Sequence, residues 1–193
     1  MTDWNWIITN KIVHRRRYAA THVHEPKVLS VIKQFHGDLF VDVGCNKGLY
    51  SKLAKKNFKK VIGIDPNPKW NADLQVALSN FNGTAPFYIG DNKGSADSLI
   101  HIPHIQGIDW RNNTEYDVKV CTFDSLELDA DLVKIDVEEA EFQVLEGMQK
   151  YLPRNVIVEL HDERRQEELF KLMSSKGYRL ERLVDSTHWW FKL

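Results

Sequence analysis

The stretch Phe40-Val41-Asp42-Val43-Gly44-Cys45-Asn46-Lys47-Gly48-Leu49-Tyr50-Ser51 carries the reading of the fold. A short apolar run leads into Asp42, Gly44, Asn46 and Gly48, which recur at every second position. An apolar stripe of helical spacing, Leu49, Tyr50, Leu53 and Ala54, then begins. Small residues at such a junction let the backbone turn tightly and approach a ligand, and the helix start offers N–H groups that the helix leaves unpaired. This is the strand, bend and helix that open a ligand-binding α/β unit.

Outward from this unit the same alternation continues. The next strand, Val61–Ile64, ends at Asp65, some 20 positions beyond the glycine-bordered bend. A carboxylate there can accept hydrogen bonds from a ribose, although Asp65 before Pro66 also suits a turn cap. Further runs at Pro86–Ile89, Leu132–Ile135 and Val156–Leu160 are rich in Val, Ile and Phe. Several are nearly continuous in apolar character, as in strands buried on both faces of a parallel sheet. Between them, helices are predicted on the stripes Trp70-Leu74-Ala77-Leu78-Phe81, Val144-Leu145-Met148-Tyr151-Leu152 (closed by Pro153) and Leu169-Phe170-Met173 (ended by Gly177). A helix from Pro26 to Phe35 precedes them. Tyr178–Val184 and His188–Leu193 pair across a turn at 185–187. The expected fold is a doubly wound, Rossmann-like α/β sheet, mostly parallel, with an antiparallel C-terminal edge hairpin. Residues 1–193 form one domain, with 1–24 as an N-terminal arm and 25–193 as the core. The mixed segment Gly94–Tyr116 reads as an insertion beside the binding face.

The bend also discriminates between nucleoside cofactors. A dinucleotide fingerprint, Gly-x-Gly-x-x-Gly, seats pyrophosphate on a helix start. Here Asn46 stands where that fingerprint has its second glycine and would crowd a pyrophosphate. Its side chain suits a methionine moiety, and Asp42 can receive the amino-acid end. S-adenosyl-L-methionine is therefore favoured over a nicotinamide cofactor. The cofactor-binding candidates are Asp42, Gly44, Cys45, Asn46, Gly48, Asp65 and Pro66, with Asp91 added after the third strand.

Bulk composition narrows the setting. A net charge of -1 gives no field that gathers nucleic acid or anionic lipid. Cys45 and Cys121 provide no disulfide framework, and no apolar run approaches the roughly 20 residues that span a bilayer. A cytoplasmic, soluble protein without membrane contact is expected, for which a homodimer is one allowed assembly.

In four stretches the sequence resembles the FkbM-type methyltransferases, a branch of the class I S-adenosylmethionine-dependent enzymes. These are Val41–Gly48; Ile64-Asp65-Pro66-Asn67-Pro68; Asp131-Leu132-Val133-Lys134-Ile135-Asp136-Val137-Glu138-Glu139-Ala140-Glu141; and Val156-Ile157-Val158-Glu159-Leu160-His161. The resemblance implies a seven-stranded sheet, cofactor at the strand tips, and O-methylation of sugars, polyketides or related alcohols. Two positions depart from the family pattern: Asp65 where Glu is commoner, and Glu139 where Gly is commoner.

Methyl transfer to an alcohol calls for alignment and a proton acceptor. Ionisable residues gather at two predicted strand tips, and unpaired charge is costly to bury in a plain core. Asp136 and His161 are the leading catalytic or acceptor-orienting pair, with Glu138 and Glu159 beside them. His161 also suits a helix cap before Asp162. The partner is a small-molecule or glycan acceptor. A nucleic acid is disfavoured, since ribose methylation would require Lys33, Asp136, Lys150 and Glu159 to converge. A catalytically silent cofactor-binding module is a further alternative. No metal is assigned: His22 and His24, or His101 and His104, lack completing ligands.

Overall fold

The computed structural model describes residues 26–89, 97–100 and 115–193. In chain order the elements are α1 (Pro26–Ile32), β1 (Gly37–Val43), α2 (Leu49–Ala54), β2 (Phe58–Ile64), β3 (Ala77–Leu78), β4 (Gly83–Tyr88) and β5 (Glu115–Cys121). They continue with β6 (Leu132–Ile135), α3 (Glu141–Glu146), β7 (Asn155–Glu159), α4 (Gln166–Ser175), β8 (Arg179–Leu183) and β9 (His188–Lys192).

The main sheet has the order β2-β1-β6-β7-β9-β8. β2, β1, β6 and β7 run parallel, and β9 is antiparallel to both of its neighbours. The near-continuous apolar runs are explained by burial on both faces. Val41, Val43, Val133, Ile135, Val156 and Val158 pack in one cluster with Phe142 and Leu145 of α3 and Leu169 and Met173 of α4. Phe40, Leu132 and Ile157 pack in a second cluster with Val28 and Ile32 of α1 and Ala54 of α2. Each such side chain contributes about 1.5–3 kcal/mol through burial. The strand order reverses between β1 and β6, so the carboxyl ends of these two strands form a cleft of the kind where ligands collect in open α/β sheets.

Three expectations are corrected. The stripe from Trp70 to Phe81 is not a helix. Leu74 bridges to Ile64, and Ala77–Leu78 is a strand. Leu74, Val76 and Leu78 all pack on the main core while Ala77 joins another cluster. Alternation of period two thus underlies spacings that also match a helix. Second, the run at Pro86–Ile89 does not enter the main sheet. It belongs to β4, which pairs antiparallel with β5 in a separate three-stranded sheet of order β3-β5-β4. Among the described residues the main sheet therefore has six strands rather than seven.

Third, the helix expected to run on to Leu152 stops at Glu146. Gly147 follows, and a Cβ there would lie 2.2 Å from the Ser79 carbonyl oxygen. The chain then turns so that the N–H groups of Gln149, Lys150 and Tyr151 all donate to the Asp124 carboxylate. No helix of the described residues is long and apolar enough to cross a membrane.

Candidate active site

The bend after β1 is held by three contacts. Gly44 has φ +75°, and a Cβ on it would sit 1.7 Å from the Asp136 carbonyl oxygen, so the tips of β1 and β6 touch only because this residue is glycine. Asp42 is completely buried, and its Oδ2 accepts the N–H (2.9 Å) and the hydroxyl (2.6 Å) of Ser51 in the first turn of α2. Its Oδ1 is buried with no hydrogen-bond partner among the described residues. Burial raises the Asp42 carboxyl above its ordinary range, against the opposing charge of Lys134. Asn46, at φ +47°, donates its N–H to Asp65 Oδ2 at 2.8 Å, which joins the bend to the tip of β2.

Asp65 is itself buried, and its Oδ1 accepts the Asn67 N–H at 2.9 Å. Burial pushes its carboxyl up to about 6, although the two N–H donors pull the other way. Asn67 is buried too and donates its side-chain amide to Asp97 at 2.5 Å. Asp42, Gly44, Cys45, Asn46, Gly48, Asp65 and Pro66 thus come together around one end of the cleft. Asp91, His22, His24, His101 and His104 lie outside the described residues.

Across the cleft, β6 and β7 deliver a cluster of ionisable groups. Lys134 is wholly buried; its Nζ lies 2.8 Å from Asp136 Oδ2 and 4.4 Å from the centre of the Tyr50 ring. Burial alone would lower the lysine, but the charges of Asp136 and Asp42 outweigh it and keep the group cationic. Just after β6 the backbone turns through two consecutive left-handed residues, Glu138 at φ +49° and Glu139 at φ +75°. This corner turns the Glu138 carboxylate back onto His161. Their separation is 3.1 Å at Nε2, while Asp136 and Glu159 stand farther off, each at 3.9 Å. The other ring nitrogen, Nδ1, lies 2.5 Å from Glu141 Oε1, an oxygen that also accepts the Glu139 N–H.

A ring with a carboxylate at each nitrogen is held as imidazolium. Burial works against this charge, yet Glu138, Glu141 and Glu159 together raise His161 well above its ordinary value. Glu138 is pushed up to about 7, by burial first, with His161 opposing and Asp136 and Glu159 adding to the rise. Asp136, Glu159 and His161 offer ligand atoms within 4.8 Å of one another. The Lys134 ammonium and the His161 imidazolium already place positive charge among these carboxylates.

Of the predicted candidates Asp136, Glu138, Glu159 and His161, the structure sets Glu138 nearest to His161, with Asp136 and Glu159 farther off. Glu141 and Asn67 were quoted only as parts of motifs, and Ser51, Asp97 and His188 were not singled out as site residues. A two-residue spacing from Glu139 to Glu141 at a strand-to-helix corner is the one local signal for Glu141. Asp97 and His188 depend on contacts between elements distant in sequence, whereas Ser51 meets Asp42 only nine residues before it.

The sequence profile described as the Methyltransferase FkbM domain matches residues 42–180, from the first strand tip to the start of the terminal hairpin. The chain belongs to the FkbM methyltransferase family. Membership makes it a methyltransferase and implies S-adenosylmethionine as the methyl donor. The orphaned oxygen of Asp42, buried beneath this bend, fits a polar group of a ligand seated there.

Among solved structures, this FkbM chain is similar to a precorrin-6y C5,15-methyltransferase from Geobacter metallireducens, at 10% identity, covering 86% of each chain with a TM-score of 0.48. It is similar to precorrin 8w decarboxylase of Methanobacterium thermoautotrophicum, at 14% identity, covering 86% of this chain and 89% of that one with a TM-score of 0.47. A third similar structure is an E. cuniculi complex responsible for methylating a translation termination factor, at 8% identity and TM-score 0.43, with 86% and 90% covered. No curated protein matches the chain significantly.

Proposed function

We propose that this FkbM-family chain transfers a methyl group from S-adenosylmethionine to a hydroxyl oxygen of a small molecule or glycan. The observation that carries the reading is the Glu138–His161 contact at 3.1 Å on the acceptor side of the cleft, beside the bend. In the bound state the sulfonium cofactor supplies an activated methyl carbon. Asp65 would accept the ribose hydroxyls, and the 44–48 bend, with Asp42 beneath it, would hold the amino-acid end.

The remaining work falls to the chain's own residues. His161, cationic and clamped by Glu141, cannot accept a proton, but it orients Glu138 and the acceptor. Glu138, balanced near neutrality, takes the hydroxyl proton as the oxygen attacks. Asp136 is tied to Lys134 and keeps the acceptor end anionic. Alignment of the two reactants contributes on the order of 7–11 kcal/mol, and a base typically adds 10²- to 10⁴-fold.

The placement of two lysines supports the small-molecule or glycan reading over ribose methylation. Lys33 precedes β1 and Lys150 precedes β7, so both sit toward the amino ends of parallel strands, while Asp136 and Glu159 stand at the carboxyl ends. The experiment is transfer of radiolabelled methyl into cell extract, divided into RNA, glycan and small-molecule fractions. Label in the glycan or small-molecule fraction that disappears with Glu138→Gln is the expected result. Label in RNA would overturn the acceptor class, and label in none would favour the silent module.

A further inference from the structure

We propose that His188, backed by Asp185, is a positioning residue that ties the C-terminal hairpin to the active site by holding Glu159 as a fixed carboxylate in front of His161. The inference rests on the methyltransferase reading above and extends it to an element outside the strand tips of the parallel sheet.

The antiparallel pairing of β7 with β9 sets His188 directly opposite Glu159. No part of His188 reaches solvent. Its Nε2 lies 3.3 Å from Glu159 Oε2 and its Nδ1 lies 3.1 Å from Asp185 Oδ1. That Asp185 oxygen also accepts the N–H groups of Thr187 and His188, each at 3.0 Å, so the turn fixes the carboxylate before the ring meets it. The other oxygen of Glu159, Oε1, stands 3.9 Å from His161 Nε2. Asp185, His188, Glu159 and His161 therefore form a line from the hairpin turn into the cleft.

The ring thus presents one nitrogen to each of two carboxylates in a place closed to solvent. The charged groups around the Glu159–His188 pair are Asp185, His161, Lys134, Asp136 and Glu138. Burial would raise Glu159, but the His188 ring 3.3 Å away and the charges of His161 and Lys134 outweigh it and hold the carboxyl below its usual range. The line thus divides the labour between two glutamates: Glu159 stays ionised, and Glu138 is left to exchange the proton. A residue that only filled space at position 188 would not set this division.

Carboxyl-carbon NMR of the full chain labelled at glutamate side chains reads Glu159 directly. In the wild type its signal is expected to stay ionised from about pH 8 to about pH 4. In His188→Gln a titration should appear inside that window, an acid at least tenfold weaker, because the donor and its charge are gone while burial remains. Asp185→Asn should move Glu159 in the same direction by less, and it keeps the test decisive if His188→Gln does not fold. An unmoved Glu159 in the folded variant overturns the proposal. Calorimetry with S-adenosylhomocysteine on the same proteins separates the two readings. Wild-type protein that takes up none defeats the methyltransferase site whatever Glu159 does. Binding kept within threefold in His188→Gln, with Glu159 shifted, supports a role confined to the acceptor side.

Discussion

Glu139 occupies φ +75° at the corner after β6, a conformation glycine adopts without strain and a residue with a Cβ does not. Glu139→Gly should therefore stabilise the fold by about 1 kcal/mol, with relief of strain exceeding the added chain entropy. Urea unfolding checks this; a lower midpoint would contradict it. Gly44 is the opposite case. Gly44→Ala places a methyl 1.7 Å from the Asp136 carbonyl and should cost more than about 3 kcal/mol by the same assay. Asp65 gives a pH prediction. Its folded value of about 6 lies above the unfolded one, so its effect on apoprotein stability is lost as pH rises from about 4 through about 6. Ribose hydroxyls need the carboxylate form, so affinity for S-adenosylhomocysteine should fall roughly tenfold from pH 7 to pH 5. A flat profile would remove Asp65 from the ribose.

At the scale of elements, α3 shows how a short helix is ended from outside. Its six residues, Glu141–Glu146, stop where Gly147 meets Ser79, and Asp124 takes over the next three N–H groups. Asp124→Ala should destabilise the protein by about 2 kcal/mol in thermal unfolding, with little change in cofactor affinity because Asp124 stands away from the cleft. A neutral result would show that water replaces the carboxylate. The parallel strands were legible because continuous Val/Ile runs have few alternatives. The terminal hairpin was legible because an alternating charged and leucine strand and an apolar one flank a three-residue polar turn. The stretch Leu74-Gln75-Val76-Ala77-Leu78 was misread because i, i+4 and i, i+2 patterns overlap within five residues, and only pairing with Ile64 decides between them. β5 was missed although Tyr116, Val118 and Val120 alternate with charged residues. The expected insertion Gly94–Tyr116 overlaps only the first two residues of this strand, and its remainder received no element.

For the whole molecule, function follows from where the strand order reverses. β1 and β6 are neighbours whose connections leave on opposite sides at their carboxyl ends, so the glycine bend, Asp65 and the Glu138–His161 contact gather at one edge of the sheet although His161 lies 117 positions after Gly44. The half of this cleft proposed to seat the cofactor rests on features that are local in the sequence: a bend, a helix start and one carboxylate at the next strand tip. The acceptor half was legible only as a set of strand tips. Which carboxylate meets His161 depends on the left-handed turn at 138–139, and the reach of the hairpin into the site depends on strand register.

Calorimetric titration with S-adenosylhomocysteine, comparing the wild type with Asp65→Asn at neutral pH, bears most directly on the account. One binding event per chain is predicted for the wild type, weakened about 5- to 150-fold by the substitution, equivalent to about 1–3 kcal/mol of lost hydrogen bonding. A wild type that releases no heat, or an Asp65→Asn protein that binds equally well, would contradict a nucleoside held across the tips of β1 and β2.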